Sequence, residues 1–465
     1  MEPTLQPNPL DSRDDHPWCH PYLTDSNIGR FRSYSEGVWQ FAREYADDNS
    51  KPLSCAFAVN MAQNMCKWAR LAEKYGVRST LFLHPMDTFP ISMPPWEDFD
   101  GSWEDLKNGS AFMESVREIQ PEVTTRTITL ESEEFCAAYS AFQGGDYALL
   151  LGLLSQSETL RLEVFENNLP FLGYFDWAKA LADYDVIYAA SAPFAAYASG
   201  QPYCLFSVGG DLQIDCGRGD AFGRTMLRAF NSGRFLMVSN PHSLGHSRRL
   251  GLTNGVYLPY PMDTDRYCPG HGKVRKDWVS RYGAGTYVLI SARLDAKVKG
   301  HTEEFFSMLI ELAKLKKEVR FILLSWGNSA KELMERISRE GVQGQFIVLP
   351  PVGKKRLIDY YRSCDLVLDQ FVYGYYGATA LEAASIGKPV VMHIRSEQYG
   401  PLYAGDIAPV INANTVSEIH ISLMALLDDE QLRKQKGDAM REWVVRNHGE
   451  QKTVPLMLAL LRFAA

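Results

Sequence analysis

From Thr286 onward the sequence alternates uninterrupted apolar runs with stretches of helical period, and this alternation narrows the possible folds more than any other feature. The runs are TYVLISA, VRFILLS, QFIVLP, LVLDQF and PVVMHI; between them lie EEFFSMLIELAKLKK, AKELMERISREG, KKRLIDYYRSC and ATALEAASIG. A strand with one wet face alternates apolar and polar side chains. A run that is apolar throughout is covered on both faces, which means a parallel sheet with helices on either side.

The first half repeats the pattern less regularly. LSCAFAV reads as a strand, and MAQNMCKWARLAEKYGV follows it with Met61, Met65, Trp68, Ala69 and Ala72 at helical spacing. Gly76 stands where a helix-ending glycine belongs, and STLFLH is the next strand. The turn inside this β-α-β unit, VNMAQN, has no glycine, whereas a dinucleotide-binding turn needs GxGxxG there. A nicotinamide-dependent enzyme is therefore disfavoured. DVIYAA, YCLFS, RFLMVS and GVYLPY continue at α/β spacing.

A chain of 465 residues exceeds one ordinary core. The expected fold is α/β, with two Rossmann-like doubly wound domains facing across a cleft. PYPMDTDRYCPG, rich in proline, supplies the linker. The expected limits are 1–50 for a polar extension with a helix near Tyr34–Tyr45, 51–265 for the first domain, 266–440 for the second, and 441–465 for a helix crossing back to the first. Residues 85–180, with the acidic aromatic stretch WEDFDGSWEDL, fit acceptor contacts, a lid or a surface excursion equally.

A net charge of −8 argues against nucleic acid as partner, because phosphate binding wants a basic face. The amino-terminal residues lack the basic and apolar regions of a signal peptide, and no apolar stretch reaches membrane-spanning length. The eight cysteines are scattered without metal spacing. These features suggest a cytoplasmic setting, with room for peripheral attachment at the inner membrane face.

Two motifs in the second half carry chemistry. In SARLDAKVKG, Arg293 follows a strand and Lys299 precedes Gly300 at the expected start of the next helix. Ligands of open α/β sheets bind at the carboxyl ends of strands, and two cations there suit a diphosphate; solvated surface cations are the plain alternative. In DQFVYGYYGATALEAASIGKPVV, a loop with Gly374 and Gly377 leads into a helix carrying Glu382. Free amides at that helix start would attract phosphate, and Glu382 could accept hydrogen bonds from two vicinal hydroxyls. An exposed helix glutamate is the alternative. SVGGDL offers Gly209, Gly210 and Asp211 after a strand, either facing the cleft or as a tight turn with a capping aspartate. Trp326 could flank a base but fits core packing better. His84 ends a strand and could line the cleft but fits packing better; His242 and His246, four apart, show no third metal ligand. The DxD strings at Asp98–Asp100, Asp183–Asp185 and Asp263–Asp265 are assigned no metal.

On the Arg293…Lys299-Gly300 pair and on YYGATALEAASIGKPVV, the second half resembles the donor domain of the retaining GT-B family called glycosyl transferases group 1. The resemblance covers about 285–450 and extends more weakly into the late first domain. It implies transfer of a sugar from a nucleoside-diphosphate sugar to a hydroxyl acceptor (a glycan, a lipid-linked or a small molecule, as in polysaccharide biosynthesis), with retention, without metal and without a cofactor. It implies that Arg293 and Lys299 neutralise the leaving diphosphate, and that Glu382 holds the ribose. It further implies that the amides of Ala378, Thr379 and Ala380 meet the diphosphate, and that the Gly209–Asp211 loop lies near the reacting carbon. The chain departs from the family at Gly374, where the first glutamate of Glu-x7-Glu belongs; the amides of Tyr375, Tyr376 and Gly377 remain for the sugar. A nucleotide-sugar 2-epimerase, or a non-catalytic sugar-nucleotide binding protein, would use similar architecture.

Overall fold

The computed structural model describes residues 52–83, 92–102, 124–127, 133–157, 161–162, 165, 180–190, 193–219, 221–403 and 405–465. The helix expected near Tyr34–Tyr45, His84, and the part of the acidic stretch beyond Ser102 lie outside them. The chain divides into two compact units. The first comprises Met1–Pro94, Pro121–Pro259 and Gln451–Ala465; the second comprises Pro95–Gln120 and Tyr260–Glu450.

The first unit is built on a seven-stranded parallel sheet in the order β3-β2-β1-β4-β5-β6-β7. Its strands are β1 Ser54–Ala58, β2 Arg78–Leu83, β3 Thr124–Thr127, β4 Val186–Ala190, β5 Tyr203–Phe206, β6 Phe235–Val238 and β7 Gly255–Tyr257. β1, β4, β5 and β6 are buried along their whole length, as their apolar runs require. The helix after β1 spans Asn64–Lys74 and buries Met65, Trp68, Ala69 and Ala72, with Gly76 closing it at φ +79°.

The helix was expected to begin at Met61, and it does not. Val59, Ala62 and Gln63 all have positive φ, at 57°, 49° and 65°. Such conformations cost about 1–2 kcal/mol per non-glycine residue, so something must hold them. Asn60, fully buried, donates to the Ser92 carbonyl at 2.7 Å and accepts from the Cys66 amide at 2.9 Å. Gln63 donates to the Met93 carbonyl.

The second unit holds a six-stranded parallel sheet in the order β10-β9-β8-β11-β12-β13. The strands are β8 Thr286–Ile290, β9 Val319–Leu324, β10 Phe346–Leu349, β11 Leu366–Leu368, β12 Val390–Met392 and β13 Ile411–Asn412. Helices such as Glu303–Leu315 and Ala330–Arg339 send Phe305, Leu309, Leu333 and Ile337 into one core with Val288, Phe321 and Leu366. Both sheets run outward in two directions from a central pair, β1/β4 and β8/β11. At such a pair the loops after the two strands part to opposite faces, and this is where open α/β sheets bind ligands.

The sequence drew unit limits at 265 and 440; in the structure they fall at Pro259 and Glu450, and residues from Pro95 group with the second unit. Two ion pairs tie that segment there: Asp98–Arg266 at 2.8 Å and Asp100–Arg356 at 3.1 Å. The last helical stretch divides at Gly449 into Glu430–His448 and Glu450–Ala464. Among the described residues no helix is long and apolar enough to cross a membrane.

Candidate functional site

In the second unit the predicted residues gather at the carboxyl ends of β8 and β11. After β8 the chain runs through Arg293 to Asp295, whose carboxylate caps a four-residue helix, Ala296–Lys299. Lys299 therefore ends a short helix rather than starting the next, which begins at Glu303. Gly300 closes it at φ +77°, and a Cβ there would sit 3.1 Å from both Phe371 and Val372. Only glycine lets the loops after β8 and β11 come so close, and the Phe371 amide donates to the Lys299 carbonyl across the gap at 2.9 Å. Arg293 is exposed, with Nε 3.8 Å from Asp295. Lys299 Nζ lies 3.4 Å from Asp369 Oδ1.

Asp369, the first residue beyond β11, is fully buried, and its Oδ2 has no hydrogen-bond partner among the described residues. That oxygen lies 3.4 Å from where a Gly377 Cβ would stand, at the edge of ordinary contact distance. The neighbouring His301 is buried, hydrogen-bonds the Asp369 carbonyl through Nε2 at 3.0 Å, and stacks on Phe305. Burial lowers its pKa to about 4, so it is neutral at physiological pH.

Gly377 is the N-cap of the Ala378–Ser385 helix, and no side chain caps it. The amides of Ala378, Thr379 and Ala380 thus form an uncapped first turn. Glu382 is fully buried, not an exposed helix residue. Lys354, at the start of the Lys354–Ser363 helix, donates to both its oxygens at 2.7 and 2.8 Å. Tyr361 Oη donates to Oε2 at 3.5 Å and meets Ser291 Oγ at 3.0 Å.

The loop between β11 and this helix is organised by Gln370, whose Oε1 accepts from the amides of Val372 and Tyr373 while its Nε2 donates to the carbonyls of Tyr375 and His393. Tyr375 stacks on Tyr373, and burial foremost raises its hydroxyl to about 12. The Tyr376 amide, expected to be available for a sugar, is committed: it donates to Tyr399 Oη at 3.0 Å. Its ring packs against Tyr399 and Trp443. Gly374 adopts φ +72°, and a Cβ there would lie 2.5 Å from Arg395 Cγ and 3.0 Å from His393 Nε2. Trp326 is half-buried, its indole N–H donating to the Ser291 carbonyl at 3.3 Å.

In the first unit, Gly209, Gly210 and Asp211 follow β5. Asp211 opens a five-residue turn of π type, Asp211–Asp215. Its carboxylate accepts from Ser207 Oγ at 2.7 Å and from the amides of Val208, Gly209 and Leu212 at 3.2, 3.1 and 2.8 Å. Burial raises its pKa against these donors. Its bonds all stay within the loop, which is the turn-organising role. His242 and His246 share the Pro241–Arg249 helix, one engaged by Gln213 and the other by Arg249. Of the DxD strings, Asp98 and Asp100 hold arginines, Asp185 accepts from Ser54 Oγ at 2.6 Å, and Asp263 accepts from the Arg266 amide at 3.0 Å.

The switch point of the second sheet thus combines two cations, an uncapped helix start and a buried, cation-held glutamate, a set suited to a polyanion attached to hydroxyl-bearing groups. Residues 280–443 match the family described as Glycosyl transferases group 1. The matched stretch includes Arg293, Lys299, Lys354, Asp369, Gly377 and Glu382. A D-inositol 3-phosphate glycosyltransferase of Xylanimonas cellulosilytica is 34% identical over 84 residues, 17% of this chain and 20% of its own. A mannosylfructose-phosphate synthase of Agrobacterium fabrum is 26% identical over 188 residues, 38% of this chain and 40% of its own. The chain thus aligns with a fifth to two fifths of the length of these relatives. Among solved structures, HepE of Anabaena in complex with UDP is similar at TM-score 0.58 and 14% identity, over 88% of this chain and 98% of that one. A sucrose-phosphate synthase of Thermosynechococcus elongatus gives 0.57 and 13%, over the same 88% and 98%. These likenesses show the fold, two Rossmann-like domains of GT-B type.

Lys354, Tyr361, Asp369 and His301 were not singled out by sequence reasoning. Lys354 sits in a KKR run that reads as a solvated helix face; only its partner, 28 residues on, gives it meaning.

Proposed function

We propose that the chain is a glycosyltransferase, moving a sugar from a nucleoside-diphosphate sugar to a hydroxyl acceptor with retention and without a metal ion. The observation that carries this reading is the meeting, at the β8/β11 switch point, of Lys299 with an uncapped helix whose buried second turn carries Glu382. A diphosphate at that helix start would receive the first-turn amides and the charges of Lys299 and Arg293. As the bond to the sugar breaks, negative charge grows on the leaving phosphate, and preorganised cations stabilise it without rearrangement. Ribose hydroxyls would exchange with Lys354 for the oxygens of Glu382. The names of the relatives and the UDP held by HepE support this reading. A protein that binds the nucleotide sugar without transferring it is the second reading, favoured by Gly374, which leaves no acidic side chain at that point of the loop.

Calorimetric titration with UDP, GDP and ADP, followed by NMR of the product formed with the matching sugar donor, tests both readings. One nucleoside diphosphate should bind, and the product should keep the donor's anomeric configuration. Absence of binding by all three would sink the proposal; binding without transfer to any hydroxyl acceptor would leave the second reading.

A further inference from the structure

We infer that the carboxyl end of β12 carries an anion subsite, built on Arg395 and His393, for a carboxylate or phosphate borne by a sugar bound beside the donor helix. This rests on the donor-site reading above.

The other cations of the site each have an acid: Arg293 has Asp295, Lys299 has Asp369, and Lys354 has Glu382. Arg395 is half-buried, and its guanidinium makes no hydrogen bond or ion pair with any described residue. Its stem packs over Gly374, and for a guanidinium left unpaired there a planar anion is the best-matched partner. The acids nearby are otherwise engaged or exposed. Glu418 accepts from the amides of Asn414 and Thr415, and Glu397 points to solvent. His393 stands beside Arg395: its Nδ1–H donates to Asn412 Oδ1 at 3.3 Å, and its Nε2, 3.0 Å from where a Gly374 Cβ would stand, donates to an anion in the imidazolium form of the ring.

Both groups are fixed to the loop that feeds the donor helix. The Arg395 amide donates to the Gly374 carbonyl at 2.9 Å, and the His393 amide to the Gln370 carbonyl at 2.9 Å. Gln370 Nε2 closes the link by donating to the His393 carbonyl. The stem of Arg395 occupies the position that any side chain at 374 would need, at 2.5 Å from its Cβ. Position 374 therefore offers the sugar no acid, and the same space is bordered by the stem of Arg395 and the ring of His393. A neutral sugar leaves the guanidinium unpaired; a uronate or a phosphorylated sugar pairs it.

The experiment compares UDP-glucose with UDP-glucuronate, and GDP-mannose with GDP-mannuronate, by titration calorimetry on wild type, Arg395→Gln and Arg395→Lys, with bare UDP and GDP as references. A second arm measures transfer from the neutral donor to glucose and to glucose 6-phosphate. Wild type should prefer the anionic member of one pair by about tenfold or more, Arg395→Gln should lose that preference, and Arg395→Lys should keep part of it. Bare nucleotide affinity should stay within about threefold in all three proteins. Preference in the first arm assigns the anion to the donor sugar; preference in the second alone assigns it to the acceptor. If the bare nucleotide binds and neither arm shows an Arg395-dependent preference, the subsite does not exist. If none of UDP, GDP and ADP binds, the donor-site reading falls and this inference with it. Matching thermal midpoints show that the variants are folded, and wild type's own preference decides the matter should Arg395→Gln fail to fold.

Discussion

Lys354 Nζ lies 2.7 Å from one oxygen of Glu382 and 2.8 Å from the other, so a single ammonium holds both oxygens of a carboxylate that has no exposure to solvent. Removing either partner strands the other. Lys354→Met should destabilise the protein by about 3 kcal/mol or more, whereas Lys354→Met combined with Glu382→Leu should recover most of the loss. Urea unfolding of the two single variants and the double variant measures this; additive single effects would show that the pair is not coupled.

The same clamp sets what Glu382 gives a ligand. Because ribose hydroxyls would exchange with Lys354, Glu382→Ala should weaken the bound nucleoside diphosphate by about 1.5–3 kcal/mol, the value of one charge-assisted hydrogen bond rather than two. Titration calorimetry reads it, and wild-type affinity in a folded variant would detach this helix from the donor site.

Arg293→Ala and Lys299→Ala should each lower kcat by about tenfold or more, with smaller effects on nucleotide affinity, if their contacts strengthen as charge develops on the leaving group. Turnover should also persist in EDTA, since these cations are proposed to do the work of a metal. Complete loss restored by Mn²⁺ would contradict that reading.

At Gly374 the expected outcome is structural. Its φ of +72° and the 2.5 Å approach to Arg395 Cγ mean that Gly374→Ala should cost about 1–2 kcal/mol of stability. Gly374→Glu should cost more, without acquiring a new sugar preference. Thermal melts alongside donor-competition assays test it; a Gly374→Ala variant as stable as wild type would show that the loop relaxes freely.

His448 and His301 predict an acid transition in stability. Burial lowers both pKa values to about 4, against an ordinary value of 6.5. His448 suits its neutral form, with Tyr403 Oη at 2.9 Å from Nε2 and the Tyr260 carbonyl at 2.8 Å from Nδ1. Between pH 6.5 and 4 the unfolded chain binds protons that the folded one refuses. Stability is therefore complete above pH 6.5 and falls as the pH drops, by on the order of 3 kcal/mol per histidine once pH 4 is reached. His448→Gln should flatten the slope by about half between pH 7 and 4.5, read by urea midpoints; an unaltered slope would place the proton uptake elsewhere.

The strands that sequence reading located are those whose apolar character is uninterrupted, from SCAFA to VVM. β3, with the sequence TTRT, and the two-residue β13 escaped it because short polar edge strands carry no such signature. The helix was read from Met61 because nothing in VNMAQN announces three left-handed residues; the side-chain amides of Asn60 and Gln63 hold them by bonding the carbonyls of Ser92 and Met93. In the site, Arg293, Lys299, Gly377 and Glu382 were legible because they lie at fixed offsets from strand ends. Lys354 and Asp369 were not, since each takes its meaning from a partner distant in sequence.

The first unit is discontinuous: its last segment, Gln451–Ala465, follows the whole of the Tyr260–Glu450 stretch, and Val454, Leu456, Met457, Leu458, Leu460 and Leu461 on it are buried. A ribosome therefore finishes the second unit while the first, begun earlier, still lacks the helix that seals its core. During that interval the apolar surface awaiting those six side chains stays open to aggregation or to chaperones. A stop codon just before residue 451 would leave the half with the proposed nucleotide site whole in sequence and strand the other half permanently in its nascent condition.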